Sequence, residues 1–215
     1  MRLKKTDLLI LPCTLGKKGK RTTWPQKRLR DFLGSKAAKV LRTGRRLAFK
    51  RPGTRLDPKS TRKAGLDMYS GHLYPPAVKR LIRRELKRGV YVLILTGGYG
   101  LAHPQERKRT YEAHLPGPTA TVWRRRLPVI LDDFITRNGI KRVFVACSRS
   151  YAGVLKSGTA KWATQVPVFW YTPRAHPGKP RAEDIAKQIV RAVRALAKSG
   201  KPDARWARGP NPDLS

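Results

Sequence analysis

Four short apolar runs, set between segments of helical periodicity, constrain this chain more than any other feature. Asp7 to Pro12, Val90 to Leu95, Val143 to Cys147 and Val166 to Tyr171 are each too short for a core helix, and apolar residues fall on both faces. A strand reads this way when both faces of its sheet are covered. Between the runs, Val78, Leu81, Ile82 and Leu86 fall on one side of a helix at about 75–88, and Lys79, Arg80, Arg83, Arg84, Lys87 and Arg88 cover the rest. Trp123, Leu127, Ile130, Leu131 and Phe134 mark a second helix, stopped by Gly139. Ile185, Ile189, Val193 and Leu196 mark another at 182–198, and shorter helices fit about 25–33, 35–48 and 149–157. The alternation predicts an α/β fold, a mainly parallel sheet with helices on both faces and a Rossmann-like core. One domain is expected over 1–199, with a basic insertion at 15–65 after the first strand. A loose tail is expected at 200–215, where Pro202, Pro210 and Pro212 break any pattern.

Charge narrows the choice of partner. Lys and Arg number 49 against 13 Asp and Glu, a formal net charge of +36. Residues 1–65 alone hold 21 cations against Asp7, Asp31 and Asp57, and 50–65 reads as a mobile basic loop. Such a field attracts polyanions, nucleic acid first among them. Lys17, Lys18, Lys20 and Arg21 in the insertion, Lys79, Arg80, Arg83 and Arg84 on the helix, and Arg124, Arg125 and Arg126 are the expected phosphate contacts. Trp24, Trp123, Trp162 and Trp206 lie near basic residues, where a ring either stacks on an exposed base or belongs to the core. A membrane partner is not expected, because no stretch approaches the roughly 18 apolar residues of a span. Leu8 to Leu11 is too short for a signal-peptide core, so a cytoplasmic location is expected. Cys13 and Cys147 form no CxxC, and four histidines without HxH or HExxH spacing suggest neither a metal nor another cofactor.

In a sheet of this kind the ligand crevice lies beyond the carboxyl ends of the strands. That rule selects the loops after Cys13, Gly97, Ser148 and Thr172. Gly97-Gly98-Tyr99-Gly100 puts three glycines in four residues, a pattern that serves a backbone-lined ligand seat or simply a tight turn. Tyr111-Glu112 follows in the same long loop, where Glu112 could act as base or nucleophile with Tyr111 beside it, or could pair with Arg107 or Arg109. Tyr69-Ser70-Gly71 precedes a basic helix, and Cys147-Ser148-Arg149-Ser150 opens another; both suit an anion or a plain helix cap.

These pieces occur in one order. Leu11-Pro12-Cys13-Thr14, then Tyr69-Ser70-Gly71, then Thr96-Gly97-Gly98-Tyr99-Gly100-Leu101 with His103-Pro104, are followed by Tyr111-Glu112 and Leu115, Trp123, and Ala146-Cys147-Ser148 with Tyr151. The series resembles the YaaA-like superfamily over roughly residues 7–171, and the Tyr-Gly-Leu-x-x-Pro loop is its most specific part. The resemblance implies an α/β core, DNA binding and a role in limiting oxidative DNA damage. The strand-end crevice gives Cys13, Thr14, Tyr69, Ser70, Gly97, Gly98, Tyr99 and Ser148 as the expected ligand-binding positions. Arg109-Thr110 stands before Tyr111 where the family has proline.

Three functions fit this reading. The first is a nucleic-acid-binding protein, DNA before RNA, that grips phosphates without sequence preference. The second is an enzyme on the N-glycosidic bond of nucleobases or nucleosides, with Glu112 and Tyr111 at its centre. The third is a ribosome- or RNA-associated basic protein.

Overall fold

The computed structural model describes residues 2–14, 16–17, 24–115, 117–155, 161–177 and 181–209. Its first strand, β1 (Asp7–Pro12), is buried at every position, which is why it reads as an unbroken apolar run. A 3₁₀ turn at Leu29–Phe32 leads into helix α1 (Ser35–Ala48). Two-residue strands β2 (Arg55–Leu56) and β3 (Lys63–Ala64) come next, then the single turn α2 (Gly65–Met68) and helix α3 (Pro76–Lys87). Strand β4 (Tyr91–Thr96) turns back into β5 (Gly100–Ala102), and β6 (Arg107–Lys108) and β7 (Tyr111–Glu112) follow. Helices α4 (Ala120–Arg124) and α5 (Leu127–Arg137) precede β8 (Arg142–Ala146), α6 (Arg149–Leu155) and α7 (Trp162–Gln165). Strand β9 (Val168–Tyr171), helix α8 (Arg181–Ser199) and β10 (Ala207–Arg208) complete the order.

The main sheet runs β10-β9-β8-β1-β4-β5. Its four central strands are parallel, with β1 paired to β4 on one side and to β8 on the other; β5 and β10 are antiparallel edges. Each sheet face carries its own core. Leu8, Ile10, Leu93, Leu95, Val143 and Val145 meet α1, α4, α5, α6 and α7 on one side. Leu9, Leu11, Val92, Ile94, Phe144 and Ala146 meet α2, α3 and α8 on the other. Neighbouring residues thus point to opposite layers, as the strand period of two requires. Among the described residues no helix is long and apolar enough to cross a membrane.

Three expectations change here, and the two alternatives for the tryptophans are decided. The stretch 50–65 is not a mobile loop: β2 pairs with β7 and β3 with β6, so it is docked on the segment after the glycine turn. Arg109 donates to the carbonyls of Pro58 and Ser60, and Thr110 N–H donates to Ser60 Oγ at 2.8 Å. The helix expected from Trp123 through Phe134 is two helices with a corner at Arg125 and Arg126. Pro128 cannot supply an N–H to a preceding turn and suits the start of a new helix. The tail is ordered to residue 209, with β10 on the sheet edge and Trp206 buried against Phe144 and Tyr171. Trp123, Trp162 and Trp206 are core residues and cannot stack on a base. Trp24 is half-buried, with the Arg83 guanidinium 5.5 Å from its ring.

Candidate functional site

The chain leaves β1 in one direction to reach β4 and returns past it to reach β8, so the strand ends of β1 and β8 form the switch point of the sheet. Cys13 and Tyr151 stand on its two sides, with Sγ and the phenol oxygen 3.3 Å apart. Thr14 Oγ1 donates to the carbonyls of Ser70 (2.9 Å) and Gly16 (3.1 Å), tying the end of β1 to the Tyr69–Gly71 turn. Behind this rim lies a group of phenols. Tyr69 and Tyr111 hydroxyls bond at 2.8 Å, Tyr74 donates to Pro12 O at 2.7 Å, and the Tyr99 and Tyr111 rings meet edge to face at 5.0 Å. Lys17 Nζ sits 4.6 Å from the centre of the Tyr111 ring. Burial pushes the hydroxyls of Tyr69, Tyr74, Tyr111 and Tyr151 well up in pKa, so all four are neutral groups at physiological pH. In the fold they serve as hydrogen-bond partners, Tyr111 with Tyr69 and Tyr74 with Pro12 O.

Several predicted residues are brought together and others are not. Cys13, Thr14, Tyr69, Ser70, Tyr99 and Tyr111 belong to one cluster. Ser148 lies at the β8 end, with its hydroxyl 3.0 Å from that of Ser150. Glu112 alternates with Tyr111 along β7 and its side chain is exposed, within electrostatic reach of Lys17. Gly97 and Gly98 are filled by the protein itself. A Cβ on Gly97 would lie 2.5 Å from Ala113 O, and one on Gly98 would lie 2.7 Å from the Phe49 ring. Trp123 Nε1 also donates to Gly97 O at 2.6 Å. The glycines therefore serve close packing of the turn. Cys147 is fully buried, and burial pushes its thiol up, which makes it inert.

Two charged residues at this site escaped the sequence reading. Glu106 is buried and receives both arms of Arg45, at 2.5 Å and 3.1 Å, plus the Leu29 N–H at 3.3 Å. Burial alone would raise its pKa; the Arg45 charge outweighs this and holds the carboxyl below its ordinary range. Lys108 is 1% exposed, and its Nζ has no hydrogen-bond partner among the described residues. It lies 5.5 Å and 5.7 Å from the Tyr99 and Tyr69 ring centres, and burial lowers its pKa to about 8 despite Glu106. His103, stacked on Phe32, is pushed down to about 4, chiefly by burial.

The expected phosphate contacts are spread over the molecule. Lys79, Arg80 and Arg83 line a cleft of about 670 Å³ floored by Gly71, Tyr74 and Pro75. Arg83 also pairs with buried Asp67, and Arg84 with buried Glu85. Arg124 and Arg125 are exposed on the opposite sheet face, while Arg126 donates to Val122 O at 2.9 Å. Lys18, Lys20 and Arg21 lie outside the described residues. A second cleft of about 420 Å³, lined by Lys187, Arg191 and Arg194 of α8, shares Gly71 and Pro75 with the first. The α8 cations read in sequence as the solvated side of an amphipathic helix, and only the packing of α8 beside α3 gives them a partner.

Among the described residues no group of three His, Cys, Asp or Glu side chains could hold a metal ion. No protein-family model and no curated protein matches the chain.

Proposed function

We propose that this is a cytoplasmic nucleic-acid-binding protein of the YaaA-like type, with a Rossmann-like core and DNA as its main partner. The observation that carries the proposal is the cationic lining of two neighbouring clefts. Lys79, Arg80 and Arg83 of α3 line one cleft and Lys187, Arg191 and Arg194 of α8 line the other, and the two clefts share Gly71 and Pro75. Arg80, Arg191 and Arg194 are exposed and take part in no ion pair among the described residues. Contacts of this kind neutralise phosphates and release counterions, so affinity falls steeply with salt and depends little on sequence. The test is a titration against labelled DNA at several salt concentrations. A steep linear fall of log affinity with log salt is expected, and a flat response would overturn the reading.

A second reading has its own support: an enzyme acting on an N-glycosidic bond. The phenols, Cys13, Thr14 and Ser70 converge at the switch point, where backbone binding alone needs no such group. Glu112, exposed and near Lys17, is the carboxylate available to it. Release of free base that disappears in Glu112→Gln would establish this activity, and unchanged release would remove Glu112 from it.

A further inference from the structure

We infer that His176 and His72, held on the first turn of α8, are a general base and general acid that cleave RNA through its own 2′-hydroxyl. This inference rests on the nucleic-acid reading and adds to it a reaction and the sugar that reaction requires. Two of the four histidines are held by consecutive carboxylates. Asp184 Oδ2 accepts the His176 backbone N–H at 2.7 Å and lies 2.7 Å from its Nδ1, and Gln188 donates to the same oxygen at 3.0 Å. Gln188 also donates to Arg174 O at 2.7 Å, which ties down the loop carrying His176. Glu183, one residue earlier, lies 3.6 Å from His72 Nε2. Both imidazoles are 56% exposed, while Asp184 is buried.

Each carboxylate faces one ring nitrogen and leaves the other for a substrate. A carboxylate on Nδ1 fixes the tautomer whose lone pair is on Nε2, the form a base requires. His176 Nε2 has no hydrogen-bond partner among the described residues. Chiefly through the His176 backbone N–H, the Asp184 carboxyl is held below its ordinary range and stays ionised against the ring. Lys187 follows one turn along, at i+4 from Glu183 and i+3 from Asp184, so it borders both supports. It bonds Glu183 at 2.6 Å. His72, Lys187, Arg191 and Arg194 all line the second cleft. Phosphates lying on the two arginines therefore bring a phosphodiester of the same strand to the histidines.

The step needs no co-reactant. His176 Nε2 takes the proton of the 2′-hydroxyl, and the 2′-oxygen forms a bond to phosphorus. The bond from phosphorus to the 5′-oxygen breaks, and that oxygen takes a proton from His72. The products are a 2′,3′-cyclic phosphate and a free 5′-hydroxyl, and solvent returns both rings to their starting states. Lys187 faces the charge that builds on the phosphoryl oxygens. DNA lacks the 2′-hydroxyl, so it is bound and left intact.

The experiment incubates the full chain with a labelled RNA strand and its DNA counterpart and follows the ends formed. RNA fragments ending in 2′,3′-cyclic phosphate are expected, with the DNA intact. His176→Ala and His72→Ala should each slow cleavage by about a hundredfold or more. His176→Gln, which keeps a donor for Asp184, should lose as much as His176→Ala. His114→Ala, at an exposed histidine on the segment after β7, should lose nothing. Uridine 3′-(4-nitrophenyl phosphate) separates the two roles, because its leaving group departs without a proton. On it His72→Ala should regain most of its rate, and His176→Ala should not. Circular dichroism and thermal melting establish that the variants are folded. RNA that is bound but left intact, equal cleavage by every variant, fragments ending in a 3′-hydroxyl, or no rescue of His72→Ala would overturn the catalytic pair and leave the nucleic-acid reading standing. Absence of salt-sensitive binding to either strand would overturn that reading itself.

Discussion

The protein handles its cations in two opposite ways. Three partly buried guanidiniums each hold a buried carboxylate: Arg45 holds Glu106, Arg142 holds Asp7 at 2.7 Å, and Arg88 holds Glu85 at 2.6 Å. In the two surface clefts, Arg80, Arg191 and Arg194 have none among the described residues. The difference follows from scarcity. With 13 acidic residues against 49 cations, five among the described residues (Asp7, Asp67, Glu85, Glu106 and Asp184) are buried, and the surface is left with few counter-charges. Buried pairs must be complete, because an uncompensated buried charge is far costlier than an exposed one. The excess of positive charge is thus a property of the surface, where an external polyanion can answer it.

The largest effect should come from breaking the interior side of this contrast. Glu106→Gln leaves Arg45 half-buried and Lys108 fully buried without their carboxylate. A loss of about 3–5 kcal/mol is expected in urea unfolding at pH 7. A loss below about 1 kcal/mol would mean that the interior cations do not depend on their partner. The network also carries the Leu29 N–H, so the 3₁₀ turn before α1 should lose protection from hydrogen exchange in the same variant.

Lys108 supplies the next effect, with the opposite sign. Its pKa falls from the ordinary 10.5 to about 8 on folding. Between those values the unfolded chain binds a proton that the folded chain does not, so stability rises as pH goes from 8 to 10.5. Below pH 8 the full penalty applies, up to about 3 kcal/mol. Lys108→Met should therefore stabilise the protein at pH 7, by less than that bound because Glu106 loses an attraction. It should also flatten the rise in stability above pH 8. Destabilisation with an unchanged pH profile would show that the ammonium is satisfied in the fold.

His103 gives a smaller effect in the acid range. Held neutral down to about pH 4, against an ordinary 6.5, it opposes folding once the unfolded chain takes up its proton. Stability due to this group falls as pH drops through 6.5, by about 2 kcal/mol between pH 7 and pH 5. His103→Phe keeps the stack on Phe32 and should remove that part of the slope; an unchanged slope would place the acid sensitivity elsewhere.

Much of the frame was legible in the sequence, and the chemistry of the interior was not, for a physical reason. β1, β4, β8 and β9 announce themselves because both faces of the sheet are covered, so every position but Asp7, Thr96 and Arg142 at the strand ends is apolar. Helices α1, α3 and α8 show their period because one side of each stays wet. In Glu106-Arg107-Lys108, by contrast, burial alternates in, out, in, and all three residues are charged. The period of two is real but invisible to hydropathy, so the stretch reads as a solvated loop. The strands β2, β3, β6 and β7 are two residues long, too short for any pattern to establish them. Tyr69 and Tyr111 were legible as separate candidates, and only the pairing of β2 with β7 and β3 with β6 brings their hydroxyls together. Gly97 and Gly98 misled in the other direction, since a ligand seat and a tightly packed turn demand the same residue.

The smallest effect sharpens the comparison most, because it separates the two kinds of cation by their response to salt. Arg80→Gln/Arg191→Gln/Arg194→Gln removes exposed like charges from the two clefts that take part in no ion pair among the described residues. Surface changes of this kind lie within about 0.5 kcal/mol each, and here the sign should be stabilising. Screening sets its dependence: the Debye length is about 30 Å at 0.01 M salt and about 8 Å at 0.15 M. The gain in stability should accordingly be measurable at low salt and fade at physiological salt. The Glu106→Gln loss should persist at both, since buried charges are screened much less. Urea unfolding of both variants at the two salt concentrations makes the comparison directly. If the triple arginine variant is instead destabilised at both, its arginines support the fold, and the contrast between interior and cleft cations fails at its exposed end.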